Sequence, residues 1–179
     1  SFLVNNFLFL AVIAVTLWGV MFPLFSDLAR DVSVSVSAPY FDRVNGPILL
    51  GIVLMMGIGP LLPWRKASAR SFRQWFVWPI IVGVTTITVL IAFDVKRPVA
   101  IFSFGAIAFV SASILEEWCR GTLARHRRGD RWILAWWKLI NGNRPRHGGY
   151  IVHISILMLG LGIIGTNFFQ QRTDGALAL

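Results

Sequence analysis

A histidine near the start of the last apolar run is the residue best suited to do chemistry. His153 lies in the stretch Pro145–Ser155, in which a basic loop turns into an apolar run that continues to Phe169. Ionisable or coordinating side chains inside a membrane span are rare and usually functional. Neutral imidazole is the commonest metal ligand in proteins, so His153 is a candidate ligand for a metal centre.

Two glycines share a helical face with this histidine. Gly149, His153 and Gly160 are spaced so that, at 100° per residue, they fall on nearly one side of a helix. A porphyrin edge could pack closely against this flat face, with the imidazole as axial ligand of the haem iron. A neighbouring helix could pack there equally well, with His153 only hydrogen-bonded across the interface. These residues by themselves leave haem ligation and helix packing equally favoured.

The other polar candidates carry weaker signals. His147 is predicted at the membrane interface, where a lipid headgroup or a haem propionate could contact it, although a solvated side chain is the favoured interpretation. His126 lies among arginines and is predicted to be an exposed loop residue. Glu116 and Glu117 are expected to end the fourth apolar run and to pair with nearby arginines rather than transfer protons. The sequence contains no nucleophile–base pair, paired-cysteine site or phosphate loop, so it predicts no catalysis by itself.

Composition indicates the solvent in which the chain folds. Of 179 residues, 56% are hydrophobic and 14% are charged, which is more apolar and less charged than a soluble domain of this size. The chain is therefore predicted to be an integral membrane protein. The formal net charge of +9 comes from bases between long apolar runs, so loop orientation explains it better than nucleic-acid binding.

Five apolar runs are each long enough to cross a hydrocarbon core of about 30 Å at helical rise. They lie at about residues 4–25, 47–63, 75–93, 99–115 and 148–168. The sequence thus predicts an all-α bundle of five transmembrane helices within a membrane domain at residues 1–169, followed by an extracytoplasmic tail at 170–179. In the loop at residues 27–46, the alternation Val32–Ser37 is compatible with a short strand or an extended segment.

The distribution of bases predicts the orientation. The loops at residues 65–73 and 120–146 hold four and eight lysines and arginines, against two in each of the loops 27–46 and 94–98. By the positive-inside rule the two more basic loops are cytoplasmic, which places the N-terminus in the cytoplasm and the C-terminus outside it. In a bacterium the outer side would be the periplasm.

A tryptophan-rich segment precedes the last span, within the basic loop 120–146. In residues 131–140, Trp132, Trp136 and Leu139 have the spacing of one helical face. An amphipathic helix of this kind, flanked by arginines, is typical of the headgroup plane. We expect an interfacial helix that anchors the entry to the last span, in preference to a ligand-binding role.

Several motifs, in order along the chain, resemble one membrane family. Residues Arg146–His153 are similar to the Arg-Tyr-Gly-Gly-Tyr-Ile-Val-His element of the CcmF family, the membrane haem lyase of bacterial cytochrome c maturation. Other similar elements are Asn5–Asn6, Ala38–Asn45, Met56–Leu62 and Trp64–Lys66. The resemblance covers most of the chain.

The resemblance implies a role for the histidine and its neighbours. The family residue that matches His153 is one axial ligand of a haem b that passes electrons to incoming haem, so that thiols of apocytochrome c can add to its vinyl groups. Gly149, Gly160 and His147 are then expected beside that cofactor. The loop 27–46 would face a periplasmic chamber for substrate haem and apocytochrome, lined or supported by Pro39, Tyr40 and Phe41.

The chain also departs from the family pattern. A tryptophan-rich periplasmic haem motif, two periplasmic histidines and the second axial histidine lie upstream of the matched region and are not in this sequence. His147 stands where the family has tyrosine. We therefore expect His153 to provide half of a haem site, with a partner chain or a missing segment supplying the rest. The chain would be a fragment, one piece of a split lyase or a relative reused as a subunit.

Two functions follow as expectations. The first is the membrane component of a cytochrome c maturation haem lyase in the bacterial inner membrane, which binds haem b together with another CcmF-type segment or maturation protein and is not a complete catalyst alone. The alternative is a non-catalytic CcmF-like subunit packed in a larger respiratory or photosynthetic complex. A small-solute transporter is the least favoured, since no span carries a central carboxylate.

Overall fold

The computed structural model describes residues 2–30, 36–61 and 69–169. Within these ranges the chain forms six α-helices joined by turns, and no strand is present. The helices are α1 (Phe2–Arg30), α2 (Ala38–Leu61), α3 (Ala69–Ala92), α4 (Pro98–His126), α5 (Trp132–Gly142) and α6 (Arg144–Phe169). The predicted all-α class is confirmed. Most of Val32–Ser37 and the whole tail at residues 170–179 lie outside the described residues.

Five of the helices are long and apolar enough to cross a bilayer. These segments are Leu3–Leu28, Pro39–Gly59, Trp75–Ala92, Pro98–His126 and Arg144–Asn167. The short helix α5 lies between the fourth and fifth segments, as expected for a helix that precedes the last span. The chain is thus a multi-pass membrane protein built as a bundle of five spanning helices.

The spanning helices extend beyond the apolar runs that predicted them, and the largest extensions are in α2 and α4. Helix α2 begins at Ala38 rather than at Pro47, with Pro39 in its first turn, where the missing N–H of proline is tolerated. Helix α4 continues to His126, so Glu116 and Glu117 lie inside the helix although they were expected to end the apolar run. The residues that follow them include leucine, alanine and arginine, which keep strong helix propensity after the apolar run has ended.

Helix α4 is the centre of the bundle. It contacts α2, α3, α5 and α6, whereas α1 contacts α2 at the edge of the bundle. Half of the residues in its most apolar stretch of 18 are buried, and Val110 and Ile114 are completely buried. These two residues form a core cluster with Tyr150 and Leu157 of α6, so α4 holds the last span in place.

Close helix approach depends on glycines at the contacts of α4 with its neighbours. A Cβ added at Gly105 would lie 2.5 Å from Ile87 Cγ1 of α3, and one added at Gly57 of α2 would lie 2.9 Å from Val110 Cγ2. Because real side chains do not approach so closely, no larger residue fits either position without a shift. Small residues therefore bring α2 and α3 against α4, as is usual where lipid gives helices no hydrophobic reason to associate.

The motif Ala38–Asn45 begins α2 and attaches it to α1. A Cβ at Gly19 of α1 would lie 2.7 Å from Phe41, and the Asn45 amide Nδ2 donates a 3.1 Å hydrogen bond to Thr16 Oγ1. Tyr40 packs edge-on against Phe41 with ring centroids 5.3 Å apart. The side chains of this motif therefore support the contact between the first two helices.

Helix α5 lies against the C-terminal end of α4, which is predicted to be on the cytoplasmic side. Trp136 packs edge-on against Trp118, and a Cβ at Gly121 would lie 2.8 Å from Leu139. Trp132 stacks on His126 with ring centroids 4.4 Å apart. The side of α5 that carries Trp132, Trp136 and Leu139 thus packs against α4. Other apolar side chains remain exposed, including Ile133 and Trp137.

Candidate functional site

The predicted histidine face lines a large cleft between the described helices. His153, Gly149 and Gly160 all contribute to a cleft of about 1380 Å³. Its walls come from α1, α2, α4 and α6, with Trp75 of α3 and Asn143 at one end. This volume exceeds the roughly 300–1,000 Å³ of most small-molecule sites, so a large flat ligand fits within it.

His153 lines the cleft, and one of its two imidazole nitrogens is buried and unpaired. The side chain is half-buried on α6, and its Nδ1 atom is buried without a hydrogen-bond partner among the described residues. An unpaired buried polar atom costs about 1–3 kcal/mol, and native structures contain few of them. The packing hypothesis required a hydrogen bond from His153 to a neighbouring helix, and Nδ1 makes none within the described part of the chain.

The two predicted glycines differ in their surroundings. A Cβ at Gly149 would meet nothing within 4 Å, whereas a Cβ at Gly160 would lie 3.7 Å from Ile107 Cδ1 of α4. A small side chain at position 160 would thus make ordinary van der Waals contact with the central helix. Gly149 borders open space, so its missing side chain enlarges the cleft instead of admitting another described helix.

A charged cluster occupies the end of the cleft where α4 meets α6. Glu117 accepts from two arginines: Arg146 Nη2 lies 2.6 Å from Oε1, and Arg120 Nη2 pairs with Oε2. Arg146 Nε also donates a 2.9 Å hydrogen bond to the Tyr150 hydroxyl. The Arg120 guanidinium lies 4.5 Å above the ring of Trp75. Because all four polar residues line the cleft, an apolar cavity acquires one strongly polar end.

His147 does not line this cleft. It is 4% exposed, and its Nδ1 accepts a 3.2 Å hydrogen bond from Trp118 Nε1 of α4. Its ring packs edge-on against Tyr150. The favoured interpretation of a solvated interfacial side chain is wrong, because the helix begins before Gly148. At 100° per residue, His147 then lies about 120° around α6 from His153.

The remaining sequence candidates have structural contacts of their own. His126 ends α4, stacks on Trp132 and has its Nδ1 2.8 Å from the Asp130 carbonyl oxygen, so it is partly buried instead of being an exposed loop residue. The expected pairing with arginines holds for Glu117. The Oε2 atom of Glu116 is buried with no hydrogen-bond partner among the described residues. His126 and Glu116 are not among the cleft-lining residues.

Sequence reasoning did not identify the two arginines as part of the site. The available signals were the i, i+3 spacing of Glu117 with Arg120 and the i, i+4 spacing of Arg146 with Tyr150. Glu117 and Arg146 are 29 residues apart in sequence, and a turn and a helix separate them. Only the packing of α6 against α4 brings them together.

Comparison with known proteins gives one consistent group of relatives. The chain is 27% identical over 172 residues to the cytochrome c-type biogenesis protein ccl1 of Rhodobacter capsulatus, covering 92% of the chain and 24% of the relative. It is 23% identical over 175 residues to the cytochrome c-type biogenesis protein CycK of Rhizobium meliloti, covering 97% and 25%. With the cytochrome c-type biogenesis protein CcmF of Haemophilus influenzae the identity is 24% over 176 residues, covering 96% and 26%.

These alignments extend over nearly the whole chain, which spans about a quarter of the length of the relatives it matches. No family model matches the chain, and no solved structure matches it. The aligned region contains the histidine face of α6 and the α2 motif that supports α1, which are elements of the resemblance noted in the sequence. The alignments confirm that resemblance: over nearly its whole length, the chain is similar to cytochrome c-type biogenesis proteins of the CcmF kind.

Proposed function

We propose that this chain acts in the maturation of c-type cytochromes, as the membrane part of a haem lyase in which His153 is one axial ligand of a b-type haem. The observation that carries the proposal is the position of His153 in the cleft, with Nδ1 buried and unpaired. The process is proposed from the relatives, which are all cytochrome c-type biogenesis proteins. The geometry of the cleft supports the cofactor.

The residues of the cleft fit a haem. Its walls are mainly apolar, with Phe9, Ile52 and Leu159 among them, and they exclude water from a flat hydrophobic ring. Gly149 leaves open space beside the imidazole, where a side chain would otherwise project. When bound, a haem carries single electrons, which in this process would keep substrate haem reduced while thiols add to its vinyl groups. The chain itself would hold the iron through His153 and shield the ring.

A second axial ligand would come from outside the described site. The other two histidines of the chain, His126 and His147, are not among the cleft residues. We propose that another CcmF-type segment supplies the second histidine and, with it, the periplasmic chamber for apocytochrome c and substrate haem. On this proposal the chain is part of a catalyst and completes its site only in a complex.

The proposed process can be tested in cells. Deleting the coding segment for this chain is expected to remove covalently bound haem from c-type cytochromes, measured by haem-dependent peroxidase staining of denaturing gels. Restoring the segment should restore the staining, while membrane b-type cytochromes of other complexes remain as an internal control. Unchanged c-type staining, accompanied by loss of one respiratory or photosynthetic complex, would instead favour a non-catalytic subunit.

We further propose that the N-terminus is cytoplasmic, from the distribution of bases among the loops. In a Cys119→Ser background, Lys96→Cys in the turn before α4 is expected to react with a membrane-impermeant maleimide in intact spheroplasts. Arg128→Cys, in the turn after α4, should react only after permeabilisation. Both turn residues are exposed, so accessibility depends on the side of the membrane. The reverse labelling pattern would overturn the orientation.

A further inference from the structure

Among the residues that line the polar end of the cleft, two arginines face one carboxylate. Glu117, Arg120 and Arg146 all line the cleft, and the two guanidinium groups share one carboxylate. Glu117 is the more buried partner, with 12% of its side chain exposed, against 38% for Arg120 and 48% for Arg146. A charge in mainly apolar surroundings is stabilised when an opposite charge pairs with it. The cluster therefore suits a ligand that brings an anionic group.

Arg120 has donor capacity that the described residues leave unused. Its Nη1 atom is buried and has no hydrogen-bond partner, although Nη2 pairs with Glu117. Stacking above Trp75 at 4.5 Å restrains the plane of the guanidinium. A planar guanidinium with a free donor matches the two oxygens of a carboxylate or a phosphate. Arg120 is thus pre-oriented to receive an oxyanion.

The cluster lies at a suitable distance from the proposed iron ligand. Arg146 and His153 are seven residues apart on α6, which corresponds to about 10 Å of helical rise on nearly the same face. A haem carries its two carboxylates on one edge, separated from the iron by a distance of the same order. Arg146 and Arg120 could therefore meet the carboxylates of a ring whose iron is held by His153.

We propose that Arg120 and Arg146 form a carboxylate-binding site that recognises the haem propionates and fixes which edge of the ring points to this end of the cleft. This inference rests on the proposed haem ligation by His153. Glu117 acts as a positioning residue, because it holds the two guanidinium groups side by side through separate oxygens. The shared ligand chemistry is an oxyanion, so an anionic lipid headgroup is the competing source of the same charge.

Haem and its dimethyl ester separate these possibilities. The complex that contains the chain is produced in haem-deficient cells and titrated with each compound, with binding followed by the Soret band. The complex without substitutions is expected to bind haem at least about tenfold more tightly than the ester, since charge-assisted hydrogen bonds are the stronger class. If the unsubstituted complex binds haem and the ester with equal affinity, the arginines do not recognise the propionates. That result would favour a lipid headgroup at the arginines.

Substitutions then test whether the two arginines cause the preference for haem over the ester. R120Q and R146Q are each expected to reduce the preference for haem over the ester about threefold, and the double variant should bind both alike. The midpoint potential of the bound haem should also fall, because removing nearby positive charge disfavours the reduced iron. R128Q, in the exposed turn after α4, is the matched control and should change neither quantity. An unchanged preference in the double variant would assign recognition elsewhere.

The same titration includes H153A, so that two failures can be distinguished. If H153A loses axial ligation but the arginine variants keep the preference for haem over the ester, the propionate site is rejected and the proposed function stands. An H153A complex with the spectrum of the unsubstituted complex would reject haem ligation by His153 itself, whatever the arginine variants do.

Discussion

Replacing His153 by glycine is expected to convert the bound b-type haem from a six-coordinate low-spin species to a five-coordinate high-spin one. The imidazole of His153 is the only histidine side chain among the described residues that line the cleft. Loss of an outer-shell partner of a metal ligand typically costs about 10–100-fold in metal affinity, and loss of the ligand itself should cost more. The measurement is the optical and electron paramagnetic resonance spectrum of the purified complex.

Rescue by free imidazole distinguishes ligation from packing. The glycine variant leaves a space beside the ring, so added imidazole is expected to restore the low-spin spectrum in a concentration-dependent way. A helix-packing role for His153 would give no such spectral rescue. His126→Gly is the matched control, because His126 lies at the end of α4 and does not line the cleft. A low-spin spectrum that survives His153→Gly would contradict the assignment.

Placing leucine at Gly149 is expected to exclude haem while the bundle still folds. A Cβ at Gly149 meets nothing within 4 Å, so the larger side chain has room in the protein and extends into the cleft. Overpacking of about 1–3 kcal/mol against a bound ring corresponds to a loss of roughly 10–100-fold in affinity. Haem content per complex after purification measures the effect.

The matched control for this substitution lies on the same helix. A Cβ at Gly162 also meets nothing within 4 Å, but Gly162 is exposed and does not line the cleft. Gly162→Leu should therefore leave haem content unchanged while adding the same volume to α6. Equal haem loss in both variants would indicate a general effect on α6, and normal haem content in Gly149→Leu would place the ring elsewhere.

Much of the fold followed from hydrophobic length. An apolar run that crosses a bilayer must satisfy its backbone internally, so the sequence alone predicts helices and their number. Helix ends were harder to predict, because they depend on propensity and capping beyond the apolar run. Helix α4 continues through Glu116 and Glu117 for this reason, and α2 begins at Ala38 because proline is tolerated in a first turn.

In the site, too, some residue positions could be predicted from the sequence and others could not. The face formed by Gly149, His153 and Gly160 depends only on the period of one helix, and all three residues do line one cleft. His147 was misjudged because the helix was predicted to start after it. Once α6 begins at Arg144, the same period turns His147 towards Trp118 and away from the cleft.

The sequence by itself determined that the chain lies in a membrane, that it is a five-span helical bundle resembling the CcmF family, and that His153 is its candidate ligand. These conclusions depend on apolar length, helical period and ordered motifs, which are local properties. Only the tertiary structure decided that Glu117, which pairs locally with Arg120, also pairs with Arg146, 29 residues away, at the end of the cleft. That meeting depends on how α6 packs against α4, and close packing between helices is set by the shapes of both surfaces together.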